Sequence, residues 1–260
     1  METQERRALS DFRYVEEMPP QNLFTSGLIS DQSKEFQQAL YASYRNDVNE
    51  RFNGNPHFRL ELDEGGITGS NLFDILLIDE HLKPLGARTA LSPLSQELTS
   101  RIKGKHYVDF RACVLRSMGD SSCSKNDLLI QKLAEHIDMS QVERGKPALI
   151  SGLRLEPSED EGYGVILVLG GEFKAVYDDR LAGKWDGYKF DEVDEHNLPL
   201  RLDRKEGSRI WYAREDGLSD LIVGGCLGLD SRGRCRYGSL GSSSRGGRVV
   251  LESAEGTRAA

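Results

Sequence analysis

Between Ser33 and Phe52 the side chains Phe36, Leu40, Tyr44, Val48 and Phe52 recur every fourth residue, a stripe that predicts one amphipathic helix. Asn53-Gly54-Asn55-Pro56 closes it, because Gly accepts a left-handed cap and Pro cannot continue a helix. Two strands are predicted next. In His57 to Asp63, Phe58, Leu60 and Leu62 alternate with polar residues, whereas Leu72 to Asp79 is almost wholly apolar and reads as an interior strand. Ser92-Pro93 then opens a short helix with Leu94, Leu98 and Ile102 on one face. Tyr107 to Leu115 predicts a strand, and Lys125 to Ile137 a helix carrying Leu129, Leu133 and Ile137 in register.

After about residue 147 the helical period gives way to short apolar runs between turn residues: Ala148 to Leu155, Val165 to Leu169, Phe173 to Tyr177, Ile210 to Ala213 and Val249 to Leu251. The pattern predicts an α+β protein, a mixed helix and strand N-terminal half followed by a β-rich C-terminal half. That arrangement is either two domains or one sheet with its helices on one side, and a small α/β unit in the first half is the competing reading. The organisation expected is a flexible arm over 1–22, a mixed α/β region over 23–146, a β-rich region over 147–253 and a disordered tail over 254–260. Residues 217–248 hold 9 Gly and 6 Ser, so they either zigzag through tight turns or stay mobile.

Composition narrows the class. The chain is 38% apolar and 29% charged, and its longest apolar run, Val165 to Leu169, is far short of the ~18 to 20 residues of a bilayer helix. Charges interrupt the N-terminal METQERRALSDF where an export signal is continuously apolar, which predicts a cytoplasmic protein without a membrane partner. Cys113, Cys123, Cys226 and Cys235 fit neither a disulfide framework nor zinc spacing, so free buried thiols are expected. Residues 201–260 carry 11 basic and 8 acidic side chains, which leaves 23 against 34, a net of −11, for the first 200. An acidic body disfavours nucleic acid, except through the segment bearing Arg232, Arg234, Arg236, Arg245 and Arg248 among glycines. Arginine-bearing hairpin turns at a sheet edge account for the same residues.

Three constellations carry candidate chemistry. Gly119 to Lys125, between a predicted strand and helix, matches a phosphate loop at Gly119 and Lys125 only. Ser124 stands where the loop needs Gly, and with Asp127 it also makes a helix capping box. A second constellation is a local similarity: IDEHLKPL at 78–85 and VDEHNLPL at 193–200 share five of eight residues. If the two turns met, Asp79, His81, Asp194 and His196 would supply a mixed nitrogen and oxygen metal site; as separate turns, their Asp residues bond nearby backbone. The third is nuclease-like, Asp160 with Glu172-Phe173-Lys174, set in a stretch over 153–195 with 12 acidic and 5 basic residues, a poor surface for DNA. No HExxH, CxxC pair or nucleophile elbow is present, and the sequence names no cofactor. The leading expectation is a module whose β-rich half binds a partner, a protein first of all; the alternatives are a phosphate-ligand enzyme and a metal-dependent hydrolase or nuclease.

Overall fold

A computed structural model of the chain describes residues 27–91, 102, 106–117, 125–143, 146–159, 162–196, 198–212, 222–229, 234–238 and 247–253. The predicted stripe is helix α1, Lys34–Glu50. Ser33 caps it by accepting from the Phe36 N–H at 3.1 Å, and Leu40, Tyr44 and Val48 are buried. The segment expected as an interior strand is instead helix α2, Leu72–Leu82. An unbroken apolar run has no period to separate helix from strand, and here the capping box decides: Asn71 accepts from the Asp74 N–H at 3.0 Å and Asp74 accepts from the Asn71 N–H at 3.1 Å. Leu72 through Asp79 are all buried, as in a helix enclosed on every side.

Of His57 to Asp63, only Glu61–Asp63 is a strand, β2, paired with β3, Gly66–Thr68. Phe58 and Leu60 still point inward, because Asp74 holds this stretch where a ladder does not. Its carboxylate accepts from the Tyr44 hydroxyl at 2.6 Å and the Arg59 N–H at 2.9 Å. Burial pushes the Asp74 carboxyl up to about 7 against these donors. A carboxyl raised in the folded state binds its proton more tightly there than in the unfolded chain, so its contribution falls as pH rises from about 4 to 7. Wild type is therefore expected to lose stability relative to Asp74→Asn across that window, at up to about 1.4 kcal/mol per pH unit, in urea unfolding at stepped pH. A pH-independent difference between the two proteins would contradict it.

A large sheet follows, built of β5 (Tyr107–Ser117), β6 (Ala148–Pro157), β7 (Val165–Tyr177), β8 (Lys189–Phe190), β9 (Arg209–Tyr212), β10 (Ile222–Leu229) and β11 (Arg234–Gly238). Their order is β7-β6-β5-β10-β11-β9-β8, antiparallel except for the β11–β9 pair, and β12, Gly247–Arg248, runs parallel beside the start of β5. The described parts of the Gly/Ser-rich segment zigzag as strands. A second sheet joins β1 (Gly27–Leu28), β13 (Val250–Ser253) and β4 (Ala87–Thr89). The fold is mixed α+β, with strands concentrated in the C-terminal half.

Both faces of β5 are buried. Cys113 and Leu115 join α1, α2 and α3 (Lys125–Ala134) in one apolar cluster, while Val108, Phe110, Ala112 and Val114 meet Leu181, Phe190, Leu198 and Trp211 in another. A fourth helix, α4, Met139–Glu143, follows Asp138, which accepts from the Ser140 N–H. The helix expected at Ser92-Pro93 lies outside the described residues apart from the buried Ile102. Among the described residues no helix is long and apolar enough to cross a membrane.

The two runs read as separate strands, Val165 to Leu169 and Phe173 to Tyr177, are one strand broken by a bulge. Ser151 pairs with Lys174 and Leu153 with Leu169, so four residues of β7, Gly170 to Phe173, face Gly152 alone. Such bulges bend a strand and redirect a side chain, here that of Glu172.

Candidate functional site

Where α2, β4, β5, β7 and β13 approach, five charged side chains converge. Asp79 on α2 accepts from the Thr89 N–H at 2.8 Å and the Thr89 hydroxyl at 3.0 Å, and its second oxygen accepts from Arg88 at 3.4 Å. Arg88 donates its other amine to Glu172, which the bulge presents. Arg111 on β5 donates to the Thr89 carbonyl at 2.8 Å and stands 3.8 Å from Asp79. Glu252 lies opposite Arg88 across the β13–β4 ladder and accepts from the Leu91 N–H at 3.4 Å.

The guanidinium of Arg88 holds Glu172 below the usual carboxylate range, while burial pushes Glu252 up. Burial lowers the proton affinity of Arg111, and Asp79 opposes that shift. Asp79 exposes 7% of its side chain and Arg88 15%, so the cluster is closed except at Glu172, which is 61% exposed. Arg88 Nε is buried without a hydrogen-bond partner among the described residues. The carboxylates are bonded to guanidinium and backbone groups, an arrangement that pins α2 to both sheets.

Two residues predicted for different chemistries, Asp79 and Glu172, thus meet on one arginine that neither prediction included. The other metal candidates have separate partners. His81 Nε2 stands 3.2 Å from Asp47, and burial lowers its pKa. Asp194 pairs with Arg180 at 2.6 Å and accepts from the His196 and Leu198 N–H groups, while His196 lies 3.8 Å from Glu195. The two similar octapeptides differ in structure: the first ends α2, and the second is a turn at the bridge Val193↔Pro199. Among the described residues no group of three His, Cys, Asp or Glu is placed to hold a metal ion.

Lys174 is exposed on β7, whereas Asp160 lies outside the described residues. So do Gly119 and Ser124, and Lys125 is the first residue of α3. Arg232 and Arg245 also fall outside; Arg234 and Arg236 stand on β11 opposite Ile210 and Tyr212, and Arg248 donates to the Gly247 carbonyl at 2.8 Å.

A polar groove of about 600 Å³ lies between the start of α1 and the β2–β3 hairpin, lined by Lys34, Gln37, Asp63 and Glu64 among others. The Gln37 amide in its wall is spent on backbone, donating to the Ser30 and Gln32 carbonyls and accepting from the Ile67 N–H.

The segment from Asp178 to Tyr212 forms a lobe against the second face of β5. Arg180 braces it, bonding Asp178, Asp194 and the Pro199 carbonyl, and Trp211 donates its indole N–H to the Arg180 carbonyl. Burial raises the Asp178 pKa, but the bonds from Arg180 outweigh it and hold the group below its ordinary value. Asp191 accepts from Ser208, and Asp203 from the N–H groups of Lys205 and Glu206. Asp191, Asp194 and Asp203 therefore shape turns.

On this braced lobe Trp185 and Tyr188 pack edge to face with centroids 5.2 Å apart. The exposed Lys184 ammonium lies 5.8 Å from the Trp185 centroid, and the exposed Arg204 guanidinium 5.3 Å from that of Tyr188 while its Nε donates to the phenol at 2.9 Å. Trp185 Nε1 is buried without a hydrogen-bond partner among the described residues. Leu200, the exposed large apolar residue among those described, is on the same lobe. Sequence reasoning missed this pair, although both tryptophans of the chain, Trp185 and Trp211, fall within the segment. Comparisons of the chain with protein-family models, curated proteins and solved structures return no match.

Proposed function

We propose that the chain is a partner-binding module whose contact surface is the 178–212 lobe, with Trp185, Tyr188, Lys184 and Arg204 at its centre and a protein as partner. One observation carries this reading: two partly buried rings, each beside an exposed cation, stand on a lobe that Arg180 braces through Asp178 and Asp194. Trp, Tyr and Arg dominate the energetics of protein interfaces, and a braced scaffold presents them with little ordering entropy left to lose.

The test compares capture from a lysate by the immobilised full chain and by a Trp185→Ala/Tyr188→Ala double variant. Circular dichroism and thermal midpoint establish that the variant is folded. A protein held by wild type and weakened about 30-fold or more in the variant supports the module. Equal capture by both proteins, or none by wild type, overturns it. A parallel thermal-shift screen with nucleotides, phosphorylated metabolites, short RNA and divalent metals addresses the enzymatic alternatives; a nucleotide shift abolished by Lys125→Ala would favour the phosphate-ligand enzyme instead.

A further inference from the structure

Two cysteines 113 positions apart in the chain are brought into one row of the large sheet. In the antiparallel β5–β10 ladder, Cys113 stands directly opposite Cys226. Opposed residues in such a ladder have Cα atoms about 4.5 to 5.5 Å apart. Disulfides span Cα separations of about 4.4 to 6.8 Å. Cys235 lies opposite Leu229, so among the described strands only Cys113 and Cys226 share a row.

The position has structural consequences. β5–β10 is the seam of the sheet, joining β7-β6-β5, on which the helices pack, to β10-β11-β9-β8, which carries the lobe. β10 reads IVGGCLGL, and its register shifts immediately after Cys226. Glycine inside a strand weakens it and a register shift interrupts its ladder, so this strand is placed to open locally. Cys113 itself is a buried thiol.

We propose that Cys113 and Cys226 are a redox pair, forming a cross-strand disulfide when the chain meets a low-molecular-weight disulfide oxidant. When β10 opens locally, the thiolate of Cys226 attacks one sulfur of oxidised glutathione and releases one glutathione thiolate. The thiolate of Cys113 then attacks the protein sulfur of the mixed disulfide and releases the second. One sulfur–sulfur bond is broken and one is formed overall. The two protein thiols are oxidised, glutathione disulfide is reduced to two thiols, and the two protons pass to them. The product is a staple across the seam, closing a long loop in the unfolded chain.

The experiment treats the reduced full chain with excess oxidised glutathione, then counts thiols and maps peptides by mass spectrometry without reduction. The expected result is the loss of two thiols, a linked peptide pair containing Cys113 and Cys226, and a thermal midpoint raised by about 5 °C or more. Dithiothreitol reverses all three, and Cys113→Ser and Cys226→Ser each abolish them. Refolding from denaturant in a glutathione redox buffer removes burial as an obstacle. No Cys113–Cys226 link under either condition overturns the proposal, as does oxidation confined to Cys123, Cys235 or mixed glutathione adducts. A link that lowers the midpoint overturns it equally, because the bridge would then not fit the native register.

Discussion

Gly152→Ala is expected to lose about 4 kcal/mol or more in urea unfolding, while Gly171→Ala, in the bulge opposite, stays within about 0.5 kcal/mol of wild type. Gly152 has φ +72°, a region where a side chain alone costs about 1 to 3 kcal/mol. A methyl group there would also stand 2.6 Å from the Phe173 nitrogen and closer still to the Glu172 carbonyl carbon and oxygen. All three are backbone atoms, so no rotamer change relieves the overlap. The bulge must move, and with it the side chain that accepts from Arg88. Gly171 has open space where its methyl would go and no left-handed φ. Its neighbour Gly170 does not, since a methyl there would meet the Gly152 carbonyl at 2.6 Å. Equal losses in Gly152→Ala and Gly171→Ala would mean that the bulge is not built as described.

The same glycines show how far the sequence could be read. α1 was legible because its stripe repeats every four residues and ends in Gly54 and Pro56. α2 was not: Leu72 to Asp79 is apolar at every position, so the period that would separate helix from strand is missing, and only the Asn71 and Asp74 pair marks the helix start. Gly170-Gly171 reads locally as the end of a strand, and no local signal reveals that Gly152, eighteen positions earlier, makes room for it. Phe58 and Leu60 alternate like strand residues yet are positioned by Asp74 from another element. Strand order was hidden for a related reason: pairing β5 with β10 depends on loop closure over more than a hundred residues, which no window of sequence contains. For the site, Asp79 and Glu172 were each conspicuous, but Arg88, which joins them, belongs to no motif. The lobe was obscured because its carboxylates form no motif until their turn donors are known.

Asp79→Ala is expected to cost about 3 to 5 kcal/mol, because removing one partner of a buried pair leaves the other charge without compensation. Here the variant would leave the Thr89 N–H and hydroxyl without their acceptor and set Arg88 and Arg111 near each other with Asp79 gone from between their contacts. Asp79→Asn keeps an oxygen for Thr89 but not the charge, so it should fall between wild type and alanine. The discriminating measurement is a double-mutant cycle with Arg88→Met, which keeps much of the arginine stem and deletes its charge. If the cluster is a pinned network, Arg88→Met relieves part of the strain of Asp79→Ala, and the double variant is more stable than the two losses added together by about 1 kcal/mol or more. Glu172, which loses its guanidinium in the same variant, is largely exposed and can turn to water, so it should not mask the relief. Additive losses would place the importance of Asp79 in its bonds to Thr89, and the arginine would then be a surface-facing companion to Glu172 with no share in holding α2 to the sheets.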